Sequence, residues 1–362
     1  MNVLGLMTGT SADGVDAVLA AFGGPPERLF WRVVRHVYTP FPEVLRRRVL
    51  AAIQGEARVP EIARLHHDLG RFFVQVARGF KGVELAALMG QTIWHEPPRY
   101  TFQIGEGAHL AEALGVPVVE GFRYSDLAAG GEGAPLLPYP DLLLFGEEGV
   151  RRAVVNIGGI ANVTYLPGCD PRGVLAFDLG PGNALIDEAA GRLGRPMDEG
   201  GRLAAAGRVD EAVLKGLLAH PFFRRPPPKS TGRELWNLAT LELPEGLTGE
   251  NLVATLTAFT AHAIALGLER FVLPRGLDEA WIAGGGAKNP VLVGMLKEAL
   301  PVPVRTFEEA TGLDASVREP LAVALLGYLR HLGAPSVLPQ TTGARRAARA
   351  GMGLLPGVEG WP

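Results

Sequence analysis

The stretch Ala176-Phe177-Asp178-Leu179-Gly180-Pro181-Gly182-Asn183 contains the turn around which the rest of the chain is organised. The apolar residues 174–177 predict a strand that ends at Asp178, and residues 184–190 predict the start of a helix. The Gly-Pro-Gly triplet between them predicts a tight turn, because glycine accepts backbone angles that other residues avoid and proline fixes φ.

Asp178 is therefore predicted to lie at a strand end, facing the N-terminus of a helix. The first N–H groups of a helix lack partners within it and carry a partial positive charge, so such a place suits chemistry on an anion. A carboxylate there is a candidate general base. The alternative is that Asp178 only caps the turn.

Composition limits the class of protein. The chain has 362 residues, enough for two domains, and a net charge of −3 without a long basic run, which argues against nucleic-acid or anionic-membrane partners. Cys169 is the only cysteine, which excludes disulfides within the chain, argues against a cysteine-based metal site and favours a reducing, cytoplasmic compartment. No apolar run is predicted to reach the roughly 18 residues of a membrane helix, and the N-terminus does not resemble a signal peptide.

Two strand–turn–strand patterns indicate a duplicated architecture without duplicated sequence. Apolar runs at 2–7 and 15–22 flank a turn at 8–14, and a second pair of runs flanks Gly158-Gly159. The backbone N–H groups and hydroxyls of the first turn suit phosphate oxygens, and its carboxylates suit a metal ion held through water. An ordinary hairpin turn is the alternative.

A third glycine-rich turn, Gly284-Gly285-Gly286, is predicted between a strand at 280–283 and a helix at 291–300. Three consecutive glycines let the backbone approach a flat ligand closely. A nucleotide base or ribose fits this turn better than a triphosphate does.

Further polar residues follow predicted strands. Residues 85–89 predict a buried strand that ends in a polar loop, where open α/β sheets place ligands, so Gln91, Thr92 and His95 are candidates to bind hydroxyls. The fork of Arg123 matches a carboxylate or phosphate, with a surface ion pair as the alternative.

Two more segments have open interpretations. The proline-rich residues 226–234 form either a stiff loop that positions Lys229, Ser230 or Arg233 near a ligand, or a solvated linker. Glu319, just before a predicted helix, either stabilises its first turn or faces the site. His66 and His67 fall on a predicted helix at 60–80 without a carboxylate partner at a suitable spacing, so no metal ligands are assigned.

Together the three turns resemble those of the sugar kinase, heat-shock 70 ATPase and actin superfamily, in which two hairpins hold phosphates and the third turn holds adenosine. Within it, the sequence resembles the anhydro-N-acetylmuramic acid kinases. The matching segments, which extend over nearly the whole chain, are 7–16, 90–92, 103–105, 128–135, 156–162, the stretch around Asp178, 230–234 and 284–289.

The resemblance implies an α/β, two-domain actin-like (ribonuclease H-like) ATPase fold with an interdomain cleft. Residues 1–130 plus 315–362 would form the domain with the first phosphate hairpin and the sugar contacts, and residues 131–314 the domain with the second hairpin, the catalytic aspartate and the adenosine turn. The glycine- and proline-rich residues 130–135 would be the crossing between them.

The resemblance also implies an activity. The enzyme would open 1,6-anhydro-N-acetylmuramic acid with water and phosphorylate O6 with ATP and Mg²⁺, as a cytoplasmic homodimer, with Asp178 as the base. Its substrate-binding residues would be Gln91, Thr92, Gln103, Gly105, Arg123, Asp178 and Glu319. Its cofactor-binding residues would be Gly9, Thr10, Ser11, Ala12, Asp13, Gly14, Val15, Asp16, Gly158, Gly159, Asn162, Gly284, Gly285, Gly286 and Asn289.

The chain departs from the family pattern at three positions. Ala12 replaces the usual Leu, Gly121 replaces an Asp next to Arg123, and Ser316 replaces an acidic residue. Glu120 is the expected substitute for the acidic group missing at Gly121. The alternatives are a kinase of the same superfamily with another sugar and a nucleotide-driven clamp of the heat-shock 70 type, for which residues 333–362 are too few to form a partner-binding domain.

Overall fold

The computed structural model describes residues 1–9 and 11–357, so the predicted phosphate ligand Thr10 lies outside the described residues. The strands are β1 (Asn2–Met7), β2 (Gly14–Gly23), β3 (Phe30–Pro40), β4 (Leu85–Leu88), β5 (Gln91–Glu96), β6 (Tyr100–Ile104), β7 (Val118–Glu120), β8 (Arg151–Ile157), β9 (Ile160–Pro167), β10 (Leu175–Pro181), β11 (Glu279–Ala283), β12 (Val304–Thr306) and β13 (Met352–Leu354).

The α-helices alternate with these strands along much of the chain. They are α1 (Glu43–Ile53), α2 (Val59–Ala77), α3 (Ala108–Leu114), α4 (Tyr124–Ala128), α5 (Pro138–Phe145), α6 (Asn183–Gly191), α7 (Arg202–Ala206), α8 (Glu211–Leu218), α9 (Gly249–Phe271), α10 (Pro290–Ala299), α11 (Phe307–Thr311), α12 (Arg318–His331) and α13 (Pro339–Thr342).

The chain divides into two compact units. The first contains Met1–Phe145 and the residues from Ser316 onward, and the second contains Gly146–Ala315. Residues 130–135, which the sequence interpretation assigned to the crossing, are hydrogen-bonded inside the first unit: the Gly133 N–H donates to Asp126 Oδ2 at 2.8 Å. The division of the chain follows Phe145 instead, at the end of α5.

The first unit is built on a sheet with strand order β13-β7-β4-β1-β2-β3. Its first three strands in sequence, β1 to β3, are antiparallel neighbours, whereas β4 and β7 join the other side of β1 in parallel. Helix α12 packs against β1, β2 and β4 with a buried apolar face.

The second unit repeats this plan. Its sheet has the order β10-β9-β8-β11-β12, with β8 to β10 antiparallel and β11 and β12 added to β8 in parallel. Strands β8, β9, β10, β11 and β12 thus take the places of β1, β2, β3, β4 and β7. The predicted duplication of architecture is confirmed, and with it the two-domain α/β fold of the actin-like ATPases.

Helix α9 is the apolar centre of the second unit. Within the described residues, one helical stretch, Gly249–Arg275, is long and apolar enough to cross a membrane, although the sequence interpretation had found no such run. Of its most apolar 18-residue window, 83% is buried inside the protein. It packs against α6, α8, α10 and β10, as a core helix does.

Two local predictions were wrong. The residues expected to form a polar loop after β4 are strand β5, which pairs with β6 in a two-stranded ribbon. Strand β10 does not end at Asp178 but continues to Pro181, because a bulge between Asp178 and Gly180 lets the strand keep its pairing with β9.

Candidate active site

Asp178 is held on β10 from two directions. It lies opposite Asn162 of β9, so these two predicted site residues are cross-strand neighbours. The Asp178 N–H donates to the Lys229 carbonyl at 3.0 Å, and Asp178 Oδ2 accepts a hydrogen bond from the Thr231 N–H at 2.9 Å. The loop at 226–234 therefore orients the carboxylate, which favours the positioning interpretation of that loop over the solvated linker.

Lys229 is a buried cation close to Asp178. Its Nζ lies 4.3 Å from the ring centroid of Phe222 and 4.9 Å from that of Phe271, and it donates to the Phe222 carbonyl at 3.3 Å. Burial lowers the pKa of Lys229 to about 8, with Arg225 and Arg270 adding to the shift and Asp178 opposing it. The side chain is only 5% exposed, so it lies inside the protein beneath the loop.

The start of α6 is not free to bind an anion, contrary to the prediction. The Gly182 N–H donates to the Gly159 carbonyl at 3.0 Å, and the Asn183 N–H donates to the Gly158 carbonyl at 2.7 Å. A Cβ on Gly182 would lie 2.2 Å from the Gly158 carbonyl oxygen. Glycine is therefore needed at 182 for the close approach of the β8–β9 turn. The carbonyl groups of this turn accept the hydrogen bonds of the N–H groups at the start of α6, which would otherwise lack partners.

Arg233, whose role the sequence left open, lies against the β8–β9 turn. A Cβ on Gly159 would lie 2.9 Å from Arg233 Nη2, so the guanidinium lies against this turn. Burial raises the pKa of Asp187 on α6 to about 6, and Arg233 opposes this shift. Sequence reasoning missed Asp187, which stands in no recognisable motif, whereas Arg233 belongs to the matching segment 230–234.

The third glycine turn lies beside the second hairpin. Gly284 has a φ of +78°, and a Cβ on it would lie 2.7 Å from Asn156 Oδ1. A Cβ on Gly286 would lie 2.4 Å from the Ile157 side chain. The predicted phosphate turn at 158–159 and the predicted adenosine turn at 284–286 are thus brought together, with Asn156 as a neighbour that sequence reasoning did not select.

Asn289 has a structural role. Its Oδ1 accepts hydrogen bonds from the N–H groups of Val291 and Leu292, both at 3.1 Å, and so caps the N-terminus of α10. The side chain is 7% exposed. Its carbonyl oxygen is therefore committed to the helix, which explains an Asn at this position without a contact to nucleotide.

The turn between β1 and β2 is closed by its own residues. Among the described residues, Ala12 is the one non-glycine with a positive φ, +50°, and its N–H donates to the Gly9 carbonyl at 3.2 Å. Ser11 Oγ donates to Asp13 Oδ1 at 2.8 Å. The side chain of Val15, a predicted cofactor residue, is buried in the core, so only its backbone can face a ligand.

Two carboxylates lie near this turn. Asp16 Oδ1 is hydrogen-bonded to His36 Nε2 at 3.0 Å, across the β2–β3 pair. Burial raises the pKa of Tyr38, and the charges of Asp13 and Asp16 raise it further. Both carboxylates therefore act on one phenol. Gly14 is required beside them, because a Cβ there would lie 2.5 Å from the Thr39 carbonyl oxygen.

The predicted sugar residues of the ribbon are together. Gln103 lies opposite Thr92 and donates to Thr92 Oγ1 at 3.2 Å, while Gln91, fully buried, donates through Nε2 to the Gly9 carbonyl at 3.3 Å. The Oε1 atoms of Gln91 and Gln103 are buried and have no hydrogen-bond partner in the described part of the chain. Such orphaned acceptors fit ligand hydroxyl or amide donors.

Gly105 is explained by packing rather than by substrate. Its φ is +113°, and a Cβ would lie 2.3 Å from the Phe73 ring. Its N–H donates to His66 Nδ1 at 2.9 Å, so the donor expected for substrate is already used within the protein.

Arg123 and Glu319 are half-buried neighbours of opposite charge. Burial lowers the pKa of the Arg123 guanidinium and raises that of the Glu319 carboxyl, and each charge opposes the other's shift. Arg123 Nη1 donates to the Gly133 carbonyl at 2.8 Å, and its Nε has no hydrogen-bond partner among residues 1–9 and 11–357. Arg123 therefore does not form the surface ion pair that was the alternative interpretation of this residue.

Glu120 does not substitute for the acid missing at Gly121. Its Oε2 accepts a hydrogen bond from the Gly107 N–H at 3.1 Å and thus holds the start of α3. The carboxylate that acts on Arg123 is that of Glu319. The preceding residue, Arg318, makes a buried two-point hydrogen-bonded ion pair with Asp141, which fixes the first turn of α12 and so the position of Glu319.

The duplicated sheets and glycine turns define an actin-like ATPase fold of the class that contains sugar kinases. The profile of the family described as "Anhydro-N-acetylmuramic acid kinase" matches residues 1–355. Relatives that carry that name include one from Synechococcus sp. (strain CC9902), 40% identical over 99% of this chain and 100% of its own, and one from Prochlorococcus marinus (strain MIT 9303), 43% identical over 98% of this chain and 100% of its own. The chain therefore belongs to the anhydro-N-acetylmuramic acid kinase family.

The chain is also similar, at low identity, to solved structures of sugar kinases. A ROK family glucokinase from Streptomyces griseus in complex with glucose and AMPPNP is 11% identical, with 91% of this chain and 99% of that chain covered and a TM-score of 0.43.

Proposed function

We propose that this enzyme opens the internal ether bridge of 1,6-anhydro-N-acetylmuramic acid with water and transfers the γ-phosphoryl group of ATP to O6, giving N-acetylmuramic acid 6-phosphate. Family membership supports a phosphotransferase that acts on this sugar in cell-wall recycling. The observation that carries the mechanism is the position of Asp178. Its carboxylate accepts a hydrogen bond from the Thr231 N–H, and its strand, β10, pairs with β9, which begins at the β8–β9 turn.

Asp178 would act as the general base. It takes a proton from water as the water oxygen bonds to C1, and the bond between C1 and the bridging oxygen breaks. That oxygen stays on C6 and forms the new bond to the γ-phosphorus, while ADP leaves. One base therefore serves both bond changes, because the electron pair of the broken C1–O bond stays on the bridging oxygen, and this oxygen is the nucleophile for phosphoryl transfer.

The second unit would hold the nucleotide. The glycines at 158–159 and the turn at 284–286 lie side by side, and backbone without side chains suits close approach of phosphate and adenosine. Arg233 against Gly159 would compensate the phosphate charge that develops during transfer. Asn162, next to Asp178 across the strands, would orient the same groups.

The first unit would hold Mg²⁺ and the sugar. Asp13 in the β1–β2 turn and Asp16 near the start of β2 supply the carboxylate oxygens that Mg²⁺ prefers, so the residues fit the ion. Bound Mg²⁺ would neutralise charge on the transferring phosphoryl group. The unpaired oxygens of Gln91 and Gln103 would accept from sugar hydroxyl or amide groups, and Arg123 with its unpaired Nε would bind the lactyl carboxylate.

The reaction is tested with the purified protein, ATP, Mg²⁺ and the anhydro sugar, with mass spectrometry of the products. We expect a sugar 6-phosphate that carries one added water, in amounts equal to ADP. Parallel reactions with glucose and N-acetylglucosamine should give at most traces. Phosphorylation of a control sugar but not of the anhydro sugar would assign the chain another acceptor, and no phosphosugar at all would reject the proposal.

We also propose a cytoplasmic homodimer. The single, exposed Cys169 is compatible with a reducing compartment, and the family resemblance suggests the dimer. Light scattering after size-exclusion chromatography should give twice the chain mass of 38.4 kDa, whereas a mass near 38 kDa would show a monomer.

A further inference from the structure

Three side chains of the first unit converge at one place: His67 on α2, His109 on α3, and Glu106 between β6 and α3. His67 Nδ1 lies 2.9 Å from His109 Nε2. Glu106 Oε2 lies 3.1 Å from His109 Nε2 and 3.7 Å from His67 Nδ1. We propose that these three side chains bind one divalent transition-metal ion, and that the donor set selects Zn²⁺.

The separations match a tetrahedral site. Zinc bonds to nitrogen and oxygen are about 2.0–2.2 Å long, so ligand atoms around a tetrahedral zinc ion are about 3.3–3.6 Å apart. The observed separations of 2.9, 3.1 and 3.7 Å lie on both sides of that range. Shifts of a few tenths of an ångström in these three side chains would therefore complete one face of the tetrahedron.

The hydrogen bonding of the metal-free cluster leaves room for a cation. A neutral histidine offers one N–H and one lone pair, and a carboxylate offers lone pairs only. His67 Nδ1, His109 Nε2 and Glu106 Oε2 meet at one point. When both histidines are neutral, one N–H there, on either ring, serves the lone pairs of the other two atoms. A divalent ion would replace that proton and engage all three lone pairs at once.

The backbone around the cluster is fixed by other contacts. The Gly105 N–H donates to His66 Nδ1 at 2.9 Å, and the Glu106 N–H donates to the His66 carbonyl at 3.2 Å. A Cβ on Gly70 would lie 2.8 Å from His109 Cδ2, so α2 and α3 are in close contact here. The ligands are therefore held in place before the ion arrives, which favours binding.

Exposure sets the type of site. The side chains of His67, Glu106 and His109 are 50%, 39% and 32% exposed, so the fourth position faces solvent and would take water. Two imidazoles with one carboxylate favour Zn²⁺ over Mg²⁺, which prefers oxygen ligands and keeps its waters. The ion would link α2 to the β6–α3 connection, and the proposal does not depend on the sugar reaction.

Titration of the chelator-treated protein with ZnCl₂ by calorimetry, without nucleotide, tests the proposal. We expect one equivalent to bind with micromolar or tighter affinity, and CoCl₂ to give the intense visible absorption of tetrahedral cobalt. His67→Gln and His109→Gln should each weaken zinc binding at least roughly tenfold. His331→Gln, which removes an exposed histidine on α12, is the matched control and should bind as the unaltered protein does.

Thermal unfolding of the metal-free variants shows whether each one folds. His67→Gln is the decisive variant, because its side chain is the most exposed of the three and the fold should not depend on it. Zinc should raise the unfolding temperature of the unaltered protein and of His331→Gln, but not of His67→Gln. No binding below about 0.1 mM zinc, or equal binding by His67→Gln, would overturn the proposal and leave a hydrogen-bonded cluster only.

Discussion

The two hairpin turns, β1–β2 and β8–β9, occupy the same place in sheets of the same order, but they are built with opposite charge. The first has Asp13 and Asp16 beside it, with the Ser11 hydroxyl bonded to Asp13 and the His36 ring bonded to Asp16. The second accepts hydrogen bonds from the start of α6 and has the Arg233 guanidinium against it. The same fold can therefore present carboxylate oxygens at the hairpin turn of one copy and a guanidinium at that of the other.

The third strand of each sheet differs in a second way. Strand β3 is an edge strand with exposed apolar side chains, Phe30, Val34 and Tyr38 among them. Strand β10 is also an edge strand of its sheet, but α9 packs against it and the loop at 229–231 bonds to Asp178. The two sheets have the same strand order. The second unit differs in that α9 and the loop at 229–231 contact β10 and hold Asp178, the candidate base.

The largest effect expected is from Asp178→Asn. It removes the proton acceptor and keeps the shape, so turnover should fall by about 10²–10⁴-fold while nucleotide affinity stays the same. Steady-state kinetics and calorimetry with a non-hydrolysable ATP analogue measure the two quantities. Asp170→Asn, an exposed aspartate of the same unit, is the matched control. Near-normal turnover in Asp178→Asn would return this residue to a structural role.

Arg233→Gln tests whether the cation distinguishes the two turns. Loss of one charged group that stabilises the transferring phosphoryl group should lower kcat by roughly 10²-fold. Arg202→Gln, an exposed arginine at the start of α7, should leave kcat unchanged. Equal rates in both variants would show that the charge difference between the hairpins has no catalytic consequence.

Gly182→Ala tests the contact between the second turn and α6. Its Cβ would meet the Gly158 carbonyl oxygen at 2.2 Å, so we expect about 1–3 kcal/mol less stability toward urea unfolding. Gly191→Ala, at the other end of α6, meets nothing within 4 Å and should be neutral or stabilise by up to about 1 kcal/mol. A neutral Gly182→Ala would mean that the turn can separate from the helix.

Lys229 provides a test by pH. Its pKa is about 8 in the folded protein against an ordinary value of 10.5, so between these values the unfolded chain binds more protons. Stability should therefore rise with pH across this window, relative to Lys229→Met, in which this group is absent. Urea unfolding at pH 7.5 and 9.5 measures the difference. Lys215→Met, at an exposed position on α8, should keep the slope of the unaltered protein.

The duplicated architecture was predictable because glycine-rich turns between apolar runs leave a local signal. The hydrogen bonds from Gly182 and Asn183 to the second turn were not, since they join segments that sequence spacing does not relate. For the same reason, His67 was judged without Glu106 and His109, which reach it only through the packing of α2 on α3. Asn289 was assigned to nucleotide, but a capping side chain and a ligand contact have the same sequence signature.

The fate of the bridging oxygen tests the proposed reaction most directly. An anhydro sugar with ¹⁸O in the bridge is converted with ATP, and the position of the label is read by mass spectrometry of the phosphosugar. The account predicts that the label lies between C6 and phosphorus, because the bridging oxygen leaves C1 and takes the phosphoryl group. Label found at C1, with unlabelled oxygen in the phosphate ester, would contradict it.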